Sequence, residues 1–361
     1  MKGFSIKTGS QWIESADLTN MVITDTYTDH EKKAILFCQS WFSNKTDFDF
    51  HTSGSTGIPK KISFKRKQLV ASALLTAKAL QLQPGNTSLV CLDVDFIAGA
   101  MMLVRGMEIG MNMIIRSPSA DPVETISEHI DFAALVPYQV VHLLQHDISK
   151  FLLLEKVIVG GAPLNQETIE ALQTLSSQFY ATYGMTETIT HVALQKLNGS
   201  DRQDYFQMLP GINASVDDRG CLIIEPGHLG IEAVITNDIV ELISNNKFKW
   251  IGRYDRVINS GGVKVNPEKI EKKLQNIFKE LKIHNRYFVG SIADEKLGQQ
   301  VVLVVESKAL GTDVEENIFN ELIRTLNKYE VPKKIFSIES FIETPTQKID
   351  RTATLKSVYF P

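Results

Sequence analysis

Between residues 88 and 175 the chain alternates short apolar runs with longer helix-forming stretches, and this alternation limits the fold more than any other feature. Ser88–Asp93, Met113–Arg116, Ala133–Val136 and Lys156–Val159 have the length and β-branched character of buried strands. Ala98–Met107, Val123–His129, Tyr138–Leu144 and Gln166–Leu175 read as the intervening helices. Strand and helix in turn predict a largely parallel sheet in a layered α/β unit. Upstream, residues 1–46 read as a mixed, partly helical lead-in. Asp47–Phe50 alternates polar and apolar residues as a half-buried strand does, and Ile62–Phe64 reads as a second. Gln68–Leu82 reads as a helix stopped by Pro84-Gly85.

After Gln195 the pattern changes. Turn signals at Asp217-Asp218-Arg219-Gly220 and Ser244-Asn245-Asn246 separate β-rich runs, Cys221–Glu225 and Ile231–Ile235, which predicts a small antiparallel subdomain. Asn266-Pro267-Glu268 is a helix start: Asn caps, Pro suits the first turn and Glu favours the positive helix end. Ile270, Leu274, Ile277, Phe278 and Leu281 follow on one face, and Ile318, Leu322, Ile323 and Leu326 line a second helix. Arg286–Gly290 and Val301–Glu306 read as strands. The 361 residues suit two or three domains. The expected division is residues 1–254, a large α/β unit with the antiparallel subdomain, and residues 255–361, a small mobile α+β unit.

Composition narrows the function. The net charge is −4, so no overall basic field exists to hold nucleic acid or an anionic membrane. Any anionic ligand needs local groups. Cys38, Cys91 and Cys221 are too few and scattered for a disulfide framework, and a reducing cytoplasm is expected. No apolar run reaches membrane-spanning length; the stretch from Phe96 stops at Arg105. Met1–Thr8 lacks the apolar core of a signal peptide.

The strongest local chemistry lies at Thr52-Ser53-Gly54-Ser55-Thr56-Gly57-Ile58-Pro59-Lys60. Glycines let successive N–H groups converge on an anion, four hydroxyls add donors, and Lys60 adds charge. Such a loop suits a polyphosphate. It lacks Walker spacing, because Pro59 stands where the last Gly belongs.

That loop resembles the phosphate loop of the adenylate-forming enzymes, which include acyl-CoA synthetases, peptide-synthetase adenylation domains and luciferases. The resemblance continues in order along the chain. Gly160-Gly161-Ala162-Pro163 is similar to the adenine-side segment, and Thr182-Tyr183-Gly184-Met185-Thr186-Glu187 to the family's most diagnostic core motif. Asp238 matches the ribose-binding Asp. Gly252-Arg253-Tyr254-Asp255 matches the ribose Arg and the hinge, Gly261-Gly262 the following turn on the CoA side, and Pro345–Arg351 the catalytic-lysine motif with Lys348.

The resemblance implies ATP, Mg²⁺ and coenzyme A as reactants with a small carboxylic acid. Tyr183 would face adenine, Thr186 the α-phosphate, Glu187 the metal, and Asp238 with Arg253 the ribose. Lys348 would stabilise charge during acyl-adenylate formation, and Asp255 would be the pivot between two half-reactions. Met101–Met107 and Tyr183–Gln195 are similar to O-succinylbenzoate–CoA ligases of menaquinone synthesis. That acid has two carboxylates, so the unreactive one needs a cation or donors, and Arg105 and His191 are the candidates. Asp95 stands near the acyl-pocket histidine of many relatives, and the N-terminal region is shorter than the family's. Another aryl or fatty acid, a carrier-protein thiol as acceptor, or a nucleotide-binding protein without turnover stay open, as does a homodimer.

Overall fold

A computed structural model describes residues 3–43, 45–51, 61–344 and 349–359. The first half runs β1 (Ser5–Thr8), β2 (Gln11–Glu14), α1 (Ser15–Leu18), α2 (Asp29–Phe42), β3 (Asp47–His51), β4 (Lys61–Lys65), α3 (Arg66–Leu80), β5 (Thr87–Val90), α4 (Ile97–Ile109), β6 (Asn112–Ile115), β7 (Ile130–Leu135), α5 (Pro137–His146), β8 (Leu154–Val159), α6 (Gln166–Leu172) and β9 (Gln178–Gly184). Strands β1, β6, β5, β7, β8 and β9 lie side by side and parallel. This is the layered α/β arrangement that the alternation predicts.

Local chemistry explains the elements. The Thr28 side chain and the Glu31 carboxylate close a reciprocal cap on α2. Helix α4 is apolar nearly all round, and Gly99 to Met107 are all buried, as a helix without a polar face demands. It ends at Gly110, whose φ of 88° suits glycine. Two departures from the sequence pattern appear. Val123–His129 is a turn, not a helix, and its Val123 and Ile126 plug the core beside β7. The lead-in begins as a hairpin, β1–β2, which forms one edge of the main sheet.

The antiparallel strands are β10 (His191–Lys196), β11 (Phe206–Met208), β12 (Asn213–Val216), β13 (Cys221–Glu225), β14 (Val234–Ser244) and β15 (Lys247–Arg253). They continue the parallel sheet, giving one 13-stranded sheet in the order β12-β13-β14-β15-β11-β10-β9-β8-β7-β5-β6-β1-β2. The strand expected at Ile231–Ile235 starts at Val234 and runs on to Ser244. This strip curls. In a flat sheet β14 would lie four spacings from β9, about 19 Å. Yet the Tyr183 hydroxyl on β9 donates to Asp238 on β14 at 2.8 Å. Tyr183, Phe206 and Phe248 pack inside the curl, with Phe206 and Phe248 stacked at 5.5 Å.

A one-turn 3-10 helix, Tyr254–Arg256, leads to a second sheet. Its strands are β16 (Ile258–Ser260), β17 (Val263–Val265), β18 (Tyr287–Asp294), β19 (Gly298–Glu306) and β20 (Lys334–Ile338). Helices α7 (Pro267–Glu280) and α8 (Thr312–Thr325) bury Ile270, Leu274, Phe278, Ile318 and Leu322 on one face, whereas Ile323 points outward. Asn266 caps α7 through Glu268 N at 3.0 Å. Helix α9 (Arg351–Tyr359) packs on the other face, over Phe288. Lys279 on α7 reaches back to Glu170 on α6 at 2.6 Å. No helix among the described residues is long and apolar enough to cross a membrane.

Candidate active site

Ligands of open α/β sheets sit outside the carboxyl ends of the parallel strands. There β8 runs into Gly160–Pro163, and β9 into a 3-10 turn, Thr186–Thr188. Gly160 must be glycine because a Cβ would lie 2.7 Å from the Thr182 hydroxyl, which donates to Val159 O at 3.2 Å. Gly161 follows with φ +91°, leaving Gly161, Ala162 and Pro163 exposed along the crevice. Thr186 is half-buried. Glu187 is exposed and makes no hydrogen bond or ion pair with the described residues, so its carboxylate is a free hard-oxygen donor of the kind Mg²⁺ takes.

Asp238 is buried, and both its oxygens are already used. Oδ2 accepts from Tyr183 and Oδ1 from the Trp250 indole N–H at 3.0 Å. Burial, reinforced by the Asp238 charge, raises the Tyr183 pKa well above the ordinary value, so its phenol stays protonated and donates. Arg253 lies 3.8 Å from Asp238 but binds Asp255 more closely, through Nε at 3.1 Å and Nη2 at 2.8 Å. That pair of hydrogen bonds from Arg253 lowers the Asp255 pKa. The expected ribose pair and pivot residue therefore form one chain, Tyr183–Asp238–Arg253–Asp255. The Tyr183 ring meets Phe248 edge-on at 5.0 Å, so part of its surface is already packed.

A second cluster lies under β10. Arg105 on α4 is 2% exposed. Among the described residues its Nε has no partner and Nη1 meets only the Met102 sulfur, at 3.7 Å, while Nη2 reaches Thr190 Oγ1 at 3.4 Å. Burial pushes its pKa down to about 10. His191 is buried beside it. Burial, then the Arg105 charge, holds the imidazole pKa well below its ordinary value, so the ring is neutral. The Thr76 hydroxyl lies 3.2 Å from Ser72 O and 3.1 Å from His191 Nε2, within hydrogen-bond reach of both. Ser72 Oγ in turn contacts Thr190 Oγ1 at 3.0 Å.

The sequence pattern names Arg105 and His191 but not Ser72, Thr76, Thr190 or Trp250, whose roles arise only from packing between distant elements. Gly261 and Gly262 form the tight turn between β16 and β17, with φ +60° and +80°. Asp95 is on the surface, paired with Lys33. Thr52, Ser53, Gly54, Ser55, Thr56, Gly57, Lys60 and Lys348 lie outside the described residues. His129, Asp131 and Glu155 cluster at the opposite, amino-terminal ends of β7 and β8, where Lys156 already pairs with Glu155 at 2.9 Å.

Comparison with known proteins adds relatives to this geometry. Residues 44–231 match the family model of the AMP-binding enzymes. The 2-succinylbenzoate–CoA ligase of Salmonella typhimurium is 25% identical over 339 residues, covering 90% of this chain and 71% of that protein. The Escherichia coli protein of that name is 26% identical, covering 84% and 67%. Among solved structures, an acyl-CoA synthetase (AMP-forming)/AMP-acid ligase II-like protein from Dyadobacter fermentans is 40% identical, with TM-score 0.63, covering 94% of this chain and 97% of that one. The Bacillus subtilis O-succinylbenzoate coenzyme A synthetase, in complex with ATP and magnesium, gives TM-score 0.70 at 18% identity, covering 85% and 69%, a likeness of fold.

Proposed function

The chain belongs to the AMP-binding enzyme family, and from that membership we propose that it joins 2-succinylbenzoate to the thiol of coenzyme A, using ATP, in menaquinone synthesis. It is an AMP-forming acid–thiol ligase. In the first half-reaction a carboxylate oxygen of the acid attacks the α-phosphorus, and the bond to pyrophosphate breaks. In the second, the CoA thiolate attacks the acyl carbon, and AMP leaves with its oxygen. Thr52–Gly57 and Lys60 would grip the triphosphate, and Gly161–Pro163 and Thr182–Gly184 would flank adenine. Asp238 and Arg253 would take the ribose, and Thr186 the α-phosphate. Glu187 would hold Mg²⁺, which neutralises phosphate charge when bound. The Lys348 ammonium would meet the charge that develops on the attacking and leaving oxygens. Gly261 and Gly262 would border the thiol's approach.

One observation carries the choice of acid: the buried Arg105 guanidinium, which meets no carboxylate among the described residues. A lone buried charge is costly, and an anion from the ligand relieves the cost. An acid with two carboxylates brings one to react and one to pair. Neutral His191 offers Arg105 no competing charge. Purified protein with ATP, Mg²⁺ and CoA is expected to release AMP and form the thioester with 2-succinylbenzoate far faster than with benzoate. Turnover of medium-chain fatty acids with none of 2-succinylbenzoate rejects this acid.

A further inference from the structure

Ile189 lies between the two halves of the site with its backbone in a conformation that side chains avoid. Its φ is +70° and its ψ −66°, and Thr190 N donates to Thr188 O at 2.8 Å across it. These values define the rare, strained form of the three-residue γ-turn. A β-branched residue is the least suited to it. The surroundings enforce the turn. The Ile189 side chain is wholly buried in the main core. The Thr188 hydroxyl accepts from Met185 N at 3.0 Å and lies 2.8 Å from Thr190 O. Gly184 leaves room on the far side, where a Cβ would stand 2.3 Å from Thr190 O.

The turn separates two sets of groups. Thr186 and Glu187 precede it and open to the crevice; Thr190 and His191 follow it and touch the Arg105 cluster. We propose that Ile189 is a positioning residue: its enforced turn fixes the offset between the residues facing the triphosphate and the residues anchoring the far end of the acid. This rests on the reading of Arg105 as that anchor. A ligase of this type must bring the reacting carboxylate in line with the α-phosphorus while the rest of the acid is held elsewhere. A small slip between the two anchors therefore lowers the rate of the chemical step more than the binding of ATP.

Ile189→Ala and Ile189→Gly test it together. They remove nearly the same bulk, but only glycine adopts a positive φ without cost. Thermal unfolding and ATP–pyrophosphate exchange with 2-succinylbenzoate are measured on both. Ile189→Gly is expected to melt at or above Ile189→Ala, yet exchange roughly tenfold more slowly, with KM for ATP in both within about twofold of the parent. A glycine variant as fast as the alanine variant overturns the proposal, since a purely structural role makes activity follow stability. Ile189→Leu, which keeps the volume and removes only the β-branch, decides if the smaller variants do not fold: a roughly threefold lower kcat supports the proposal and an unchanged kcat ends it. Arg105→Met is assayed alongside. If it alone loses the acid, the Arg105 reading stands and the turn is rejected; if only the Ile189 variants change, the Arg105 reading falls, and with it the offset to that anchor.

Discussion

Arg105 and His191 make opposite demands on their surroundings, and each can be tested alone. Replacing a lone buried charge by an apolar side chain of similar volume is often neutral or stabilising. Arg105→Met is therefore expected to hold or raise the melting temperature while kcat/KM for 2-succinylbenzoate falls roughly a hundredfold, the loss of one charge-assisted pair. Melting curves and acid-dependent kinetics measured together check this. For His191 the folded pKa lies well below the 6.5 of the free ring, so below about pH 6.5 the unfolded chain binds more protons than the folded one. Its stabilising effect is complete above about pH 6.5 and is lost toward acid, by about 1.4 kcal/mol per pH unit while only the unfolded ring is charged. His30, also lowered by burial, acts in the same direction. Stability measured from pH 7.5 down to 5.5 is expected to fall, and less steeply in His191→Gln. At this scale the sequence reveals the residues that carry charge or reactive groups, since each belongs to a readable motif. Their partners are hidden: Thr76 and Trp250 look like ordinary helix and strand residues until folding brings them to His191 and Asp238.

At the scale of elements, legibility follows length and pattern. The helix begun by Asn266-Pro267 forms as its cap and its apolar face indicate. Val123–His129 has helical spacing, but Val123 and Ile126 reach the core from a turn instead. Strand β14 is hidden for a different reason. Asn237-Asp238 interrupts the apolar run, and the polar residue turned inward is the one that meets Tyr183. Packing between β9 and β10 gives the matching prediction. At Gly184 a Cβ would meet backbone of the next strand at 2.3 and 2.4 Å, so Gly184→Ala forces the two apart. At Gly220, φ is +76° with open space around, so Gly220→Ala suffers only local strain. Urea unfolding is expected to show a loss of about 3 kcal/mol for the first and about 1 kcal/mol for the second, with acid turnover damaged only in the first.

For the whole molecule, the order of motifs from residue 52 to residue 351 identifies the family more firmly than any single stretch. Order along the chain does not reveal that the antiparallel strands extend the parallel sheet, because β11 pairs with β15 across nearly forty residues of intervening chain. Two separate sheets are joined at Tyr254–Arg256. Lys348→Ala is expected to abolish ATP–pyrophosphate exchange while sparing thioester formation from supplied acyl-adenylate; assaying the two half-reactions separately checks it, and equal loss of both contradicts the assignment. The curl of the large sheet has its own outcome. A short strand, Phe206–Met208, carries the strand pairing between its returning half and the rest. If that short seam unzips, the Asp238 carboxylate drifts from its phenol, so warming is expected to dull the nucleotide capture proposed above before it melts the protein.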